Sequence, residues 1–80
     1  MNLKPLPLKR MIMFSIVRFF HPFKPGDQFR TEDIINHVKR DLGIKYIYPD
    51  SVLRYSRQLK QDGKINYICT NRHDRIIQVL

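Results

Sequence analysis

The sequence predicts a small α+β domain in which three helices are followed by a C-terminal two-stranded β-hairpin. Two observations lead there. A basic amphipathic segment, 49–62, stops at Gly63, and from Ile65 onward the chain alternates Ile65, Tyr67 and Cys69 with Asn66, Ile68 and Thr70, the two-residue period of a strand. Upstream, two further stretches carry apolar residues at helical spacing.

Residues 1–7 read as an extended arm and residues 8–80 as the domain, because Pro5 and Pro7 deny a helix its hydrogen bonds. Leu8 to Phe20 reads as the first helix. Nine of its thirteen residues are apolar, with Ile12, Ile16, Phe19 and Phe20 on one face and Arg10, Ser15 and Arg18 largely opposite. Met11 and Phe14 fall among the polar residues, so this helix carries more apolar surface than one core face needs, and a homodimer through the first helix is one use for it. The loop marked by His21, Pro22, Pro25 and Gly26 ends it.

Gln28 to Arg30 can make a very short strand before Thr31, a good N-cap with Glu32 and Asp33 in the first turn. The second helix then places Ile34, Ile35, Val38 and Leu42 on one face and stops at Gly43. A linker, Ile44 to Tyr48, leads to the third helix, which Pro49 and either Asp50 or Ser51 favour starting. Its Val52, Tyr55, Ser56 and Leu59 share the side that would pack on the first two helices, while Asp50, Arg54, Arg57 and Gln61 fall on the other, with Gln58 beside them. After the hairpin tip Asn71, Arg72, His73 and Asp74, Ile76 to Leu80 is the second strand. The expected core is Ile12, Ile16, Phe19, Ile34, Val38, Val52, Leu59, Ile65 and Tyr67.

Fifteen Lys and Arg against seven Asp and Glu give the 80-residue chain a net charge of +8 and a pI near 10.1. Such an imbalance attracts polyanions, nucleic acid first and an anionic membrane surface second. The seven-residue apolar run Met11 to Val17 is interrupted by Arg18 and has no small-residue cleavage site after it, so neither a secretory signal nor a membrane span is expected. The single cysteine, Cys69, has no internal disulfide partner and is expected to be a buried, inert thiol, which fits a reducing cytoplasm, or a nucleoid in a prokaryote. His21, His37 and His73 are far apart, with no metal-ligand spacing. No carboxylate pair with a base, glycine-rich phosphate loop or Ser, His, Asp arrangement beyond chance is present, so no enzyme, cofactor, metal or small-molecule ligand is expected.

The element order, with the run DSVLRYSRQLKQDGKI, resembles the winged helix-turn-helix family over roughly Leu8 to Leu80. In that family the helix before the wing carries a polar N-terminal pair, an apolar residue, an Arg, a Leu, a Gly and an apolar strand start. Asp50, Ser51, Val52, Arg54, Leu59, Gly63 and Ile65 fill those positions here. The linker Ile44 to Tyr48 is longer and more apolar than a tight helix-turn-helix turn. The resemblance implies a three-helix domain whose helix 49–62 enters the major groove of double-stranded DNA and whose hairpin 65–80 is the wing, the arrangement of a small transcriptional regulator. It equally admits a protein-protein interaction module within a larger assembly.

The residue types suit the first reading. Arg54 and Arg57 have the donors for guanine O6 and N7, and Gln58 and Gln61 those for adenine N6 and N7. Ser51 can cap the helix or bond a phosphate, and Asp50 can cap, orient Arg54 or accept from a cytosine amino group. Arg72 and Arg75 flank the hairpin tip, where Arg72 would meet a phosphate or the minor groove. Lys45, interleaved with Tyr46 and Tyr48, can touch the backbone, although Tyr48 can also pack before Pro49 as a staple.

Overall fold

A computed structural model describes residues 8–80; the expected arm, 1–7, lies outside the described residues. The order is α1 (Leu8–Phe20), β1 (Gln28–Arg30), α2 (Thr31–Leu42), α3 (Pro49–Gln61), β2 (Tyr67–Asn71) and β3 (Ile76–Val79). The short strand and the hairpin, read separately in the sequence, form a single antiparallel sheet in the order β1-β3-β2. Its registers pair Phe29 with Ile77 and Tyr67 with Val79.

Helix α1 packs on both α2 and α3 and buries Ile12, Ile16 and Phe20. Because it is covered on two sides, Ser15, expected opposite the core face, is fully buried. Phe19, expected in the core, is only partly buried. It stands at the margin instead, edge-on to Phe29 at 4.9 Å and Phe23 at 5.0 Å between ring centres, while Phe20 stacks on Tyr67 at 5.6 Å. These contacts fasten the sheet to the end of α1, each pair adding about 0.5–1.5 kcal/mol beyond the area it buries.

Thr31 is not the N-cap of α2. The strand runs into the helix without a turn, so Arg30, still extended and paired with Ile76, takes the cap position, and its N–H donates to Asp33 Oδ2 at 2.9 Å. Thr31 is the first helical residue, is buried, and gives its N–H to the Arg75 carbonyl at 3.1 Å, joining the start of α2 to the hairpin.

Both Gly43 and Gly63 do what the sequence asks of them. Gly43 (φ +66°) and Gly63 (φ +74°) end α2 and α3 in the same pattern: the glycine N–H returns to the third carbonyl back, Arg40 or Lys60, and the next N–H reaches the fifth, Lys39 or Leu59. A Cβ at either would meet nothing within 4 Å, so the left-handed backbone, not space, calls for glycine. In the linker Ile47 is buried and anchors the segment, whereas Tyr46 and Tyr48 are 66% and 68% exposed and meet edge to face at 5.2 Å. Tyr48 is therefore no staple.

The hairpin departs from expectation in three places. Regular pairing begins at Tyr67 rather than Ile65, and β3 ends at Val79, leaving the Leu80 N–H bonded to Asn66 O at 3.2 Å. Cys69, expected to be buried, is exposed, because β2 is an edge strand and only its first residue, Tyr67, reaches the helices. A bulge between Cys69 and Asn71 shifts the register, and Arg75 closes the tip in the left-handed region (φ +56°), a conformation costing a non-glycine residue about 1–2 kcal/mol.

Candidate nucleic-acid interface

The face that α3 turns to solvent is decided by what it buries. Val52, Ser56 and Leu59 are buried, and Ser56 Oγ donates to the Val52 carbonyl at 2.9 Å, so a hydroxyl is accommodated in the core without an orphaned hydrogen-bonding group. With that side committed, the 3.6-residue period leaves Arg54, Arg57 and Gln61 exposed and Gln58 at the boundary. Arg54, Arg57, Gln58 and Gln61 border one open hollow on the outer side of the helix.

A second cleft lies between α3 and the sheet. Leu53 and Arg57 line it from the helix, Tyr67 and Cys69 from β2, and Arg72 from the hairpin tip, with Asp50 at the helix entrance. Arg57 belongs to both hollows and so links the outer face of α3 to the cleft that Arg72 borders, with one carboxylate at each, Asp62 at the first and Asp50 at the second. Among the described residues the ion pairs are Arg18 with Asp41 and His37 with Asp41; no carboxylate lies within 4.0 Å of Arg54, Arg57 or Arg72. These guanidinium groups retain their donors for an outside partner.

Burial raises the pKa of the Tyr67 phenol, and the Arg57 charge works against that rise. The ammonium of Lys60 sits 5.0 Å from the centre of the same ring. Tyr67 thus presents a neutral wall between two cations.

Three expected residues stand apart from this arrangement. Lys45 and Ser51 border neither hollow, and Arg75, though exposed, contributes its carbonyl to Thr31 rather than its side chain to the cleft. Ser51 and Asp50 do not cap α3. Tyr48 holds the cap position without a side-chain bond, Pro49 opens the helix with one fewer N–H to satisfy, and the Tyr48 carbonyl takes the Ser51 N–H at 3.0 Å. Asp50 makes no ion pair with Arg54 and remains exposed in the first turn, where its charge suits the helix dipole. The tip is organised by Asn71, whose Oδ1 accepts from the Asp74 N–H at 3.0 Å and whose Nδ2 donates to Asp74 Oδ2 at 3.1 Å. The cleft residues Leu53, Tyr67 and Cys69 were not marked as site residues by the sequence; the shared parity of Tyr67 and Cys69 along β2 is the signal that could have found them.

No helix among the described residues is long and apolar enough to cross a membrane. No protein-family model matches the chain, and comparison with curated proteins and with solved structures returns no significant match.

Proposed function

We propose that this chain is a non-enzymatic, winged-helix double-stranded DNA-binding protein, acting as a small transcriptional regulator by occupancy of its site. In this reading α3 lies in the major groove and the β2–β3 hairpin is the wing. The observation that carries it is the set of guanidinium groups without an ion-pair partner among the described residues, Arg54, Arg57 and Arg72, lining two hollows that share Arg57 between the outer face of α3 and the hairpin tip.

Several features support the assignment. Helix α3 has thirteen residues, about 20 Å in length, and with one face packed on the core it leaves Arg54, Arg57 and Gln61 exposed on the other. A helix of that size fits the major groove, about 12 Å wide. The side chains offered there, two Arg and two Gln, are those that bind purine edges bidentately. The net charge of +8 supplies the long-range attraction that brings phosphate backbone to the surface.

Arg54 and Arg72 separate two kinds of contact. Arg54→Ala is expected to weaken the preferred duplex by about 1–3 kcal/mol and to relax preference at one base pair. Arg72→Ala should weaken all duplexes alike and lower the slope of log K against log salt by about one unit. Selection from a random duplex pool supplies the site, and fluorescence anisotropy across a salt series reads both effects. If both variants are folded and bind duplex as the parent does, the DNA-reading assignment is wrong.

A further inference from the structure

A separate hollow lies between α1 and the C-terminal end of α3. Its floor is Met13, Phe14, Val17 and Leu59, and its two polar members are Arg10 and Lys64. It shares no residue with either hollow of the DNA-facing surface. Phe14 is 53% exposed, and Leu8, one and a half turns earlier on α1, is 56% exposed. The apolar surplus of α1 is therefore spent only in part on the core.

We propose that this groove docks an acidic amphipathic helix of a partner protein, its apolar face on Phe14 and Met13 and its flanking carboxylates on Arg10 and Lys64. Charge decides the occupant. Both rim cations are exposed, and no carboxylate of the described residues lies within 4.0 Å of either. A second copy of the chain, packed about a two-fold axis, would bring its own Arg10 and Lys64 against the same rim, in a molecule already at +8. A helix with carboxylates beside its apolar stripe removes that repulsion.

Length agrees. From Arg10 to Val17 the floor runs about two turns of α1, roughly 10 Å, the span of anchors at i, i+3 or i+4, and i+7 on a docked helix. Since the groove is separate from Arg54, Arg57 and Arg72, a helix can sit there while those side chains are engaged elsewhere.

The test uses the whole chain and a labelled synthetic helix of about twenty residues, Leu and Phe on one face and Glu flanking it, with a Lys-for-Glu version and a scrambled version as controls. The acidic amphipathic helix should bind and both controls should fail. Phe14→Glu should weaken it by about tenfold or more, as should Arg10→Glu combined with Lys64→Glu, whereas Arg54→Ala with Arg57→Ala should leave it unchanged. Amide shift mapping on the unmodified chain should mark Met13, Phe14, Val17 and Lys64, a readout that needs no variant. Equal binding of the acidic and scrambled peptides, or shifts centred on Arg54 and Arg57, would overturn the proposal. A dimer in light scattering that Phe14→Glu dissociates would overturn it too, giving the groove to a second copy.

Discussion

Replacing Leu59 by alanine tests how α3 is held. Leu59 is 5% exposed and sits on the buried face of the last turn of α3, against the core shared with α1. Truncating a core leucine costs about 2–5 kcal/mol, rising with the volume of the cavity left behind. Here the site borders the open hollow floored by Met13, Phe14 and Val17, so neighbouring side chains or water can enter part of the vacated space. The cost therefore belongs in the lower half of the range, about 2–3.5 kcal/mol. An 80-residue domain has a total stability of roughly 4–12 kcal/mol, which makes this a large fraction, equivalent to a fall in Tm of about 10–25 °C. Urea unfolding followed by far-UV circular dichroism measures it, with an unchanged slope required so that the midpoint alone reports stability. Gln61→Ala, two residues on and exposed, is the control and should stay within about 0.5 kcal/mol of the parent. A Leu59→Ala loss below about 1 kcal/mol would mean that α3 is not seated on α1 as described.

The link between α1 and α2 gives a pH signature. The Asp41 carboxyl is held below the ordinary carboxylate range, first by the Ser15 hydroxyl and then by Arg18, although Ser15 Oγ is not within strict hydrogen-bond geometry of any partner. A lowered folded pKa means stabilisation that is present above the unfolded value of 3.8 and is lost as pH falls through the folded one. Asp41→Asn should therefore cost up to about 1 kcal/mol at neutral pH, small because the Arg18 side chain is 56% exposed, and progressively less as the pH is taken down below 3.8; a cost in urea midpoints that does not shrink in acid would refute the link. At the hairpin, Cys69 should react with a disulfide reagent in the folded protein about as fast as in denaturant, and bound duplex should slow it because the thiol lines the cleft beside Arg57 and Arg72. A thiol protected in the free folded protein would place β2 against the helices.

The order of the local elements was legible in the sequence, and for some of them the bounds as well. Leu8–Phe20 and Gln28–Arg30 follow from period and breakers, and the ends of α2 and α3 follow from Gly43 and Gly63. What depends on partners was not. Periodicity assigns a face but not the number of neighbours, so Ser15 on a twice-covered helix and Phe19 at its margin were misplaced. The parity of Cys69 is that of the buried Tyr67, yet burial along an edge strand ends where the helical layer ends. Ile47 gave no periodic signal within a five-residue linker and is nonetheless core. The outward set Arg54, Arg57 and Gln61 could be read from the wheel, whereas the approach of Arg72 to Arg57 depends on the position of the hairpin.

The order β1-β3-β2 makes the last strand the middle one. Phe29 waits on Ile77, and Tyr67 waits on Val79, so neither pairing can exist until the final segment arrives. The β1–β3 contact closes a loop spanning most of the domain, an entropic cost that local helix formation cannot offset in advance. Removing the residues of β3 would dissolve the sheet on both sides at once, unseat the neighbouring Arg75 whose carbonyl takes the Thr31 N–H, and take Ile77 and Val79 out of the core they share with Phe20 and Phe29. The helices and the sheet thus form one cooperative unit, whose keystone is a strand of four residues.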